Sequence, residues 1–269
     1  MTTALIAGQG ALPCIIVDEL SAAGEPFVVA ALQGFEPELP GQPVEVFRIE
    51  RLVPFLDRLA DLGVTRVCLA GAVRRPKLEP EFFDPRTATL VPRLLAAMQP
   101  GDDATLRTVI AIFEEHGFAV VGAHELAPGL LAPAGVPTRA TPPKDGAEAN
   151  LGEATVADMG RTDTGQACVI SGGVVLAREG EAGTDAMLAG LAPHAPRRGI
   201  LFKAPKPTQD RRADLPVIGP GTARNAAAAG LAGIVIEAGG VMVLDLPGVI
   251  ETLDDAGMFL WVRPPGGGA

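Results

Sequence analysis

The first half of the chain alternates short apolar runs with amphipathic segments. The apolar runs have the length of buried strands, whereas the leucines and phenylalanine between residues 52 and 62 recur with the spacing of one helical face. The predicted strands are residues 4–6, 27–32, 44–49, 66–70 and 118–121, and the predicted helices are residues 13–24, 52–62, 90–98 and 104–116. Because strands and helices alternate, we expect an α/β fold with a parallel sheet.

The segment 128–148 separates the two halves of the chain. It carries five prolines together with glycine and threonine, a composition typical of an ordered connector. A length of 269 residues also exceeds the size at which a single core usually stops growing. We therefore predict an N-terminal domain over residues 1–130, a connector over residues 131–150 and a C-terminal domain over residues 151–269.

The C-terminal half contains shorter units that do not alternate regularly. Turn residues and helix-capping residues divide it into strands and short helices. The predicted features are strands at 167–170 and 174–177 around a Ser171-Gly172-Gly173 turn, a helix capped by Thr184, a strand at 200–203, an alanine-rich helix capped by Thr222, and two strands joined by Gly239-Gly240. We expect a mixed α/β domain.

The composition favours a globular chain that does not bind nucleic acid. Hydrophobic residues make up 48% of the chain and charged residues 20%, so a large core can form. Twenty-two basic residues stand against thirty-two acidic ones, the net charge is −10, and tyrosine is absent. Binding to nucleic acid depends on phosphate neutralisation and often on aromatic stacking, so this class of partner is disfavoured.

The cysteines and the first residues indicate a cytoplasmic protein. Cys14, Cys68 and Cys168 lie far apart in apolar runs, so we expect buried, reduced thiols rather than a disulfide or zinc framework. The first residues lack the pattern of a signal peptide, and Glu237 with two glycines interrupts the longest apolar stretch. We expect neither export nor a membrane-spanning helix.

Glycine turns follow two of the predicted strands. Gly8 and Gly10 are small enough for backbone amides to approach a phosphate where a helix begins. Pro13 replaces the third glycine of the dinucleotide-binding pattern, so a nicotinamide site is disfavoured, whereas an ordinary strand-to-helix turn stays open beside anion binding. The second turn begins at Gly71. Because parallel strands end at one edge of their sheet, we expect both turns to face one cleft.

Two acidic motifs stand at predicted helix starts. In Gly101-Asp102-Asp103, an aspartate caps the helix or directs its carboxylate to a metal or a ligand hydroxyl. In Gly183-Thr184-Asp185, the aspartate complements the helix dipole or acts as a ligand. Spacing alone leaves both alternatives open.

The loop from Lys203 to Pro216 contains the richest mixture of chemical groups. Three prolines stiffen a segment that carries four cations, an amide and two carboxylates. Pyrophosphate hydrolysis needs cations over the phosphate oxygens and a carboxylate that holds a divalent metal or orients water. A solvated surface loop would also be charged, so the structural alternative stays open. The polar residues are Lys203, Lys206, Gln209, Asp210, Arg211, Arg212 and Asp214.

Other hydrolytic chemistries have no support in the sequence. His116, His124 and His194 show neither HxH nor HExxH spacing, so a zinc hydrolase is disfavoured. There is no GxSxG motif, and no histidine stands near a cysteine in the sequence. Nucleophilic acyl transfer is therefore not expected.

Seven segments, in this order, resemble the UDP-2,3-diacylglucosamine pyrophosphatase family of LpxI type. The resemblance extends over nearly the whole chain, and several of the segments are long and unusual in composition. They are LIAGQGALP, LAGAVRRP, GDDA, GFAVVGAHEL, GTDAML, KAPKPTQDRRADLPVIG and AGLAGIVIEAGG.

The resemblance implies an activity and a setting. The implied reaction is the Mg²⁺-dependent hydrolysis of UDP-2,3-diacylglucosamine to UMP and 2,3-diacylglucosamine 1-phosphate, a step of lipid A synthesis at the inner face of a Gram-negative envelope. The implied fold is an N-terminal Rossmann-like domain and a C-terminal domain of its own type, with the ligand between them. The expected partners are the lipid substrate and product and, transiently, the inner membrane surface, with a homodimer left open.

The resemblance also implies roles for individual residues. Asp214, the acid of the DLP motif, is implied to be essential, and Asp185 is implied to lie near the metal or the diphosphate. We predict both as catalytic and metal-binding residues. The predicted substrate-binding residues are Gly10, Ala11, Leu12, Gly71, Ala72, Asp102, Thr184, Lys203 and Gln209. Gln9 departs from the family, which commonly has a glycine at that position.

Two other functions would use the same features. A non-catalytic sensor would bind a nucleotide sugar without cleaving it, and Mg²⁺-dependent release of UMP separates the enzyme from such a sensor. A nicotinamide-dependent oxidoreductase is the third hypothesis, already disfavoured by the incomplete glycine pattern.

Overall fold

The computed structural model describes residues 1–74, 76–98, 102–191, 198–207 and 209–267. The described chain forms two compact units. The first unit consists of Met1–Pro128 together with Arg212–Asp214, and the second consists of Gly129–Arg211 and Leu215–Ala269. Three residues of the second half of the sequence thus belong to the N-terminal unit.

The N-terminal unit is built on a five-stranded sheet in which every pairing is parallel. Its strands are β1 (Thr2–Ala7), β2 (Phe27–Leu32), β3 (Val44–Phe47), β4 (Val64–Ala70) and β5 (Ala119–Val121), in the order β3-β2-β1-β4-β5. The central strands are almost wholly apolar, as expected for strands covered by helices on both faces. The predicted α/β fold with a parallel sheet is confirmed.

Six helices accompany this sheet in the described residues. They are α1 (Leu12–Ala22), α2 (Leu52–Asp61), α3 (Pro85–Ala88), α4 (Val91–Met98), α5 (Asp102–Glu115) and α6 (Ala123–Leu126). Helix α2 buries the apolar face read from the sequence, and its Phe55 ring stacks on Phe47 at 3.9 Å between centroids. These contacts place the core of the unit between the helices and the sheet.

The C-terminal unit contains a mixed five-stranded sheet. Its strands are β6 (Ala167–Ser171), β7 (Val174–Arg178), β8 (Ile200–Lys203), β10 (Gly233–Glu237) and β12 (Phe259–Arg263), in the order β12-β10-β8-β6-β7. Strands β8, β10 and β12 are parallel, whereas β6 is antiparallel to both of its neighbours. A separate pair, β9 (Val217–Ile218) and β11 (Met242–Val243), is parallel. The predicted mixed α/β character is confirmed.

The helices of the C-terminal unit differ from the sequence-based expectation. They are α7 (Ala147–Arg161), α8 (Gly183–Ala189), α9 (Pro220–Ala228) and α10 (Leu246–Asp255). The sequence patterns did not indicate α7, α10 or β12. Helix α7 gives a weak signal because three of its five buried residues, Ala149, Gly152 and Thr155, are small or polar, and a Cβ at Gly152 would lie 2.5 Å from the Phe202 ring. None of the helices within the described residues is long and apolar enough to cross a membrane.

Gly239-Gly240 joins two strands, as predicted, and these strands, β10 and β11, belong to different sheets. One predicted local detail is wrong. Thr222 is not the cap residue of α9: Gly219 holds that position, and the Thr222 hydroxyl accepts a hydrogen bond from the Gly219 N–H at 3.4 Å. The error arose because a threonine near a helix start does not by itself show which residue caps the helix.

The connector packs on the C-terminal unit. Gly135 forms an isolated bridge with Val262 on β12, and the Thr138 hydroxyl accepts a hydrogen bond from the Leu260 N–H at 2.9 Å. Arg139 pairs with Asp254 at 3.0 Å. Helix α7 then begins at Ala147. This segment therefore forms an ordered connection that lies along β12.

The three cysteines are free, but they do not share one environment. Cys68 and Cys168 are buried, and burial raises the pKa of each thiol to about 12. Cys14 is exposed in the first turn of α1, so the prediction of three buried thiols is wrong at this position. An apolar run that forms a helix buries only one face, and Cys14 lies on the other.

The ends of β1 and β4 are locked together by their backbones. A Cβ on Gly71 would lie 2.8 Å from the carbonyl carbon of Gly8, and Gly71 has φ +95. The N–H of Gln9 donates to the Ala72 carbonyl at 2.9 Å, and the N–H of Ala72 donates to the Gln9 carbonyl at 2.8 Å. Glycine is required here because two backbones touch, which sets the position of both turns.

Replacing Gly71 with alanine should separate these two turns. We expect Gly71→Ala to lower the free energy of unfolding by about 2–4 kcal/mol, since both a positive φ and a backbone clash oppose the new side chain. Gly63→Ala is the matched control, because Gly63 has φ +72 but open space around its Cβ position. It should cost about 1 kcal/mol. Urea denaturation followed by circular dichroism measures both, and equal losses would contradict the packing argument.

Candidate functional site

The turn after β1 presents its backbone at the start of α1. Gly10, with φ +101, and Ala11 are exposed, whereas the Leu12 side chain is buried in the core. Ala11, the N-cap residue of α1, makes no side-chain capping hydrogen bond, and Pro13 stands in the first turn of the helix. A helix start of this kind binds anions through backbone amides. Of the predicted residues in this turn, Gly10 and Ala11 are accessible to a ligand, and Leu12 can offer only its backbone.

The turn after β4 lies at the same edge of the sheet. Gly71 and Ala72 are exposed, and their backbone is fixed against Gly8 and Gln9 by the contacts described above. Because β1 and β4 are adjacent and parallel, the two turns are about 5 Å apart, the spacing of neighbouring strands. Gly8 and Gly71 thus serve close packing in addition to any ligand, whereas the Cβ position of Gly10 lies in open space.

Residues Arg212–Asp214 are attached to the N-terminal unit near the end of β5. The Cα of Arg212 lies 3.4 Å from the position of a Cβ on Gly122, the residue that follows β5. The Arg212 guanidinium pairs with Glu114 of α5 at 2.6 Å, and Ala213 packs on the core of the unit. Asp214 is half-buried. Since β5 neighbours β4, this short segment brings Asp214 to the edge of the sheet that carries the glycine turns.

A buried polar cluster occupies the C-terminal unit at the end of β8. The Lys203 ammonium donates to the Thr184 hydroxyl at 2.7 Å and lies 3.9 Å from a Glu179 carboxylate oxygen. Thr184 in turn donates to Glu179, whose other oxygen accepts from the Gln166 N–H at 2.7 Å. The side chains of Lys203 and Glu179 are only 9% and 10% exposed. Thr184 therefore belongs to an internal ion-pair cluster and does not cap α8, which corrects that prediction.

The remaining cations of the proline-rich loop are also paired with carboxylates. Lys206 pairs with Asp163, and Arg211 pairs with Glu237 at 2.8 Å. Gln209 is buried, and its side-chain oxygen accepts a hydrogen bond from the Lys206 N–H at 2.9 Å. Each of the four loop cations has a carboxylate partner in its own unit. The main role of these ion pairs is thus to hold the loop in place.

The predicted acids lie in different surroundings. Asp185 is exposed on α8, where one of its oxygens accepts a hydrogen bond from the Asn225 side chain of α9 at 2.9 Å. It belongs to the C-terminal unit, whereas Asp214 belongs to the N-terminal unit. Asp102 begins α5, but its side chain and Gly101 lie outside the described residues. Within the described chain, no group of three or more histidine, cysteine or acidic residues forms a ready-made metal site.

Comparison with known proteins divides the chain near residue 130, and it assigns Arg212–Asp214 to the second family domain although they belong to the N-terminal unit. Residues 2–130 match the LpxI N-terminal domain, and residues 133–261 match the LpxI C-terminal domain. The chain belongs to the LpxI family. The UDP-2,3-diacylglucosamine pyrophosphatase LpxI of Caulobacter vibrioides is 41% identical over 266 residues, which cover 95% of each chain.

The structure adds three polar residues to those predicted for this LpxI-family chain. Glu179 neutralises Lys203, and Asn225 orients Asp185. His124 follows Gly122 on α6, where its Nδ1 is buried with no hydrogen-bond partner in the described chain, and a Cβ on Gly122 would overlap the ring. Sequence spacing gave no signal for Glu179 or Asn225, because each contacts a residue on another element. The sequence patterns concern His124 only through the missing zinc-hydrolase spacing, and its place in the segment GFAVVGAHEL is the signal that could have pointed to it.

The Lys203 cluster predicts a large stability effect in this LpxI-family protein. Glu179→Ala removes a carboxylate beside a buried ammonium, and we expect a loss of about 3–5 kcal/mol in the free energy of unfolding. The matched control is Glu181→Ala, since Glu181 is exposed and only two residues away. That control should change stability by no more than about 0.5 kcal/mol.

A double variant distinguishes charge from packing at the same position. Glu179→Met combined with Lys203→Met removes both charges and keeps comparable volume, so it should be more stable than the sum of the single changes indicates. Urea denaturation of all variants provides the measurement. Additive losses would show that Lys203 and Glu179 do not act as a pair.

Proposed function

We propose that this protein hydrolyses the pyrophosphate bond of UDP-2,3-diacylglucosamine and releases UMP and 2,3-diacylglucosamine 1-phosphate. The observation that carries the proposal is the 41% identity, over 95% of each chain, with a relative named for this substrate and activity. Both LpxI domains are matched, so the proposal extends to the whole chain and not to one domain alone. The reaction would serve lipid A biosynthesis.

The reaction needs an aligned diphosphate and an aligned water. Water attacks one phosphorus, the bond from that phosphorus to the bridging oxygen breaks, and the bridging oxygen leaves with the other phosphate. Negative charge spreads over the phosphate oxygens as this bond breaks, so fixed donors stabilise the transition state. The uncapped start of α1, reached through Gly10 and Ala11, supports a role for these backbone amides in holding one phosphate.

Asp214 is the acidic residue that we propose as catalytic. Its segment is anchored at the sheet edge by Arg212 and Ala213, so the backbone that carries its carboxylate is held where the group can orient water or hold a cation. An anchored group loses little entropy in the transition state, which is the condition for efficient positioning. Asp185, with one oxygen engaged by Asn225, is the second proposed acid and is to be tested separately.

Mg²⁺ is the proposed cofactor, and the available donors suit it. Magnesium prefers oxygen ligands, keeps several waters and is commonly held by one or two carboxylates plus substrate phosphates. Asp214 and Asp185 are carboxylates of this kind, and a site completed by substrate requires no cluster of three protein ligands in the described chain. When bound, the ion would neutralise phosphate charge. This contribution is needed because the loop cations already have carboxylate partners.

We further propose a cytoplasmic location with transient contact at the inner membrane surface. The support is the acylated substrate, whose chains partition into the bilayer. A net charge of −10 opposes attraction to anionic lipids, so such contact would be local and brief. We also propose that the protein associates as a homodimer.

Asp214→Asn tests the catalytic assignment. The change removes the negative charge and keeps the size, and we expect UMP release to fall by roughly 10²–10³-fold while the protein stays folded. Asp210→Asn is the matched control from the same loop and should retain most of the activity. Near-normal turnover of Asp214→Asn, or an equal loss in both variants, would remove Asp214 from the proposed chemistry.

Removal of divalent metal tests the cofactor. With purified protein and UDP-2,3-diacylglucosamine, a chelator should abolish UMP release and added Mg²⁺ should restore it. Full activity in the chelator would reject the metal, and binding of the substrate without any UMP release would favour a sensor.

A further inference from the structure

His124 lies in the same unit as the segment that carries Asp214. It is half-buried on α6, the short helix that follows β5, and α6 packs against α1 and β4. Residues Arg212–Asp214 also belong to the N-terminal unit, although they come from the second half of the sequence. His124 and this segment are therefore parts of one compact unit.

Gly122, the N-cap residue of α6, is the point at which the imidazole and the segment meet. A Cβ on Gly122 would lie 2.5 Å from Cε1 and 2.7 Å from Nδ1 of His124, and 3.4 Å from the Cα of Arg212. The backbone of Gly122 has φ −76 and ψ 151, angles that any residue can adopt. Glycine is thus required here for space and not for conformation, because only its missing side chain lets the ring and the Arg212 backbone come together.

The ring nitrogen beside this glycine lacks a hydrogen bond. Nδ1 of His124 is buried and has no partner within the described residues, whereas Nδ1 of His116, in the same unit, lies 2.7 Å from the Ile112 carbonyl oxygen. Leaving a buried polar atom unpaired costs about 1–3 kcal/mol, which a leucine of similar size would avoid. Stability alone therefore gives no reason for an imidazole at this position.

A movement of the neighbouring segment would give this nitrogen a partner. The backbone of Arg212–Asp214 carries N–H donors, and an unprotonated Nδ1 is an acceptor. Because both the ring and the Arg212 backbone lie against Gly122, a small shift of the segment would bring a donor within reach. Hydrogen bonds that support catalysis are often long in a ligand-free enzyme and tighten in the substrate complex.

The other contacts of the segment leave room for such a movement. The ion pair between Arg212 and Glu114 joins side chains that are 38% and 45% exposed, and ion pairs as exposed as this stabilise a structure only weakly. Ala213 packs against the apolar core as a partly buried residue. A hydrogen bond at Gly122 would therefore increase the precision with which Asp214 is held.

We propose that His124 is a positioning residue for Asp214. Its Nδ1 accepts a hydrogen bond from the backbone of the Arg212–Asp214 segment, and this bond fixes the direction in which the Asp214 carboxylate points. The free protein samples the bonded arrangement, and the substrate complex favours it. The effect on catalysis rests on the proposed function, whereas the support of the segment rests on the contacts at Gly122.

Three variants of His124 separate the volume of the ring from its two nitrogens. His124→Leu keeps an apolar side chain of similar size, His124→Asn keeps a polar atom at the position of Nδ1, and His124→Gln keeps one at the position of Nε2. With the full-length protein, Mg²⁺ and UDP-2,3-diacylglucosamine, we expect the leucine and glutamine variants to lower kcat by about tenfold, the effect of one lost hydrogen bond. KM should change little, and His124→Asn should stay within about twofold of wild type.

Hydrogen exchange measured by mass spectrometry follows the segment without any need for turnover. In the ligand-free protein, the amides of residues 212–214 should exchange about twofold faster or more in His124→Leu and His124→Gln than in wild type and His124→Asn. The remaining amides of the N-terminal unit should exchange as in wild type. His116→Leu is the matched control, since it removes the other described histidine of this unit, and it should change neither kcat nor exchange in this segment.

Four results would overturn the proposal. His124→Leu would equal wild type in kcat and exchange, or His124→Gln and not His124→Asn would restore both. A rise in KM alone would instead make the ring a substrate contact, and faster exchange over the whole unit would make it a general packing residue. Absence of turnover in wild type would reject the proposed function, and exchange in residues 212–214 would still decide whether His124 holds the segment.

Discussion

The candidate site depends on one constraint. Arg212–Asp214, which come from the second half of the sequence, are attached to the N-terminal unit near the end of β5. Arg212 pairs with Glu114, its backbone lies against Gly122, and the partly buried Ala213 packs against the apolar core. Hydrophobic burial and an ion pair thus hold a piece of a distant loop on the first sheet. The carboxylate that follows is positioned by packing and not by its own contacts alone, which is how rigid scaffolds fix catalytic groups.

Ion pairs within each unit are the second feature that organises the candidate site. The proline-rich loop looks in sequence like a set of cations ready for a diphosphate, yet each cation has a carboxylate partner in its own unit. The cluster of Lys203, Thr184 and Glu179 is the most buried of these. An ammonium in such a place is stabilised only while its partners remain, so the loop gains rigidity from charges that would otherwise be solvated. The site then offers a ligand only a few polar groups, each in a fixed position.

Much of the fold could be predicted from the sequence, because the information was local. Strands β2 and β8 have the predicted bounds, and α2 buries the apolar face that its spacing indicated. Helix α7 was not predicted, since Gly152, which packs closely on Phe202, and the small or polar Ala149 and Thr155 weaken the apolar periodicity of its buried face. Thr184 was misread as a cap because its partners, Glu179 and Lys203, come from other elements. The sequence also could not predict to which unit Asp214 belongs, because this depends on contacts of its segment with residues about a hundred positions earlier.

The route of the chain has a consequence for how this protein can be divided. The backbone leaves the N-terminal unit after Pro128, returns at Arg212 and leaves again after Asp214, so the units are joined at three peptide bonds and not one. A fragment cut at the boundary of the two family domains would keep every strand of the first sheet and still lose the piece that carries its acid. Neither half is therefore a self-sufficient module, and recombination with halves of other proteins would separate the acid from the sheet edge where it is held.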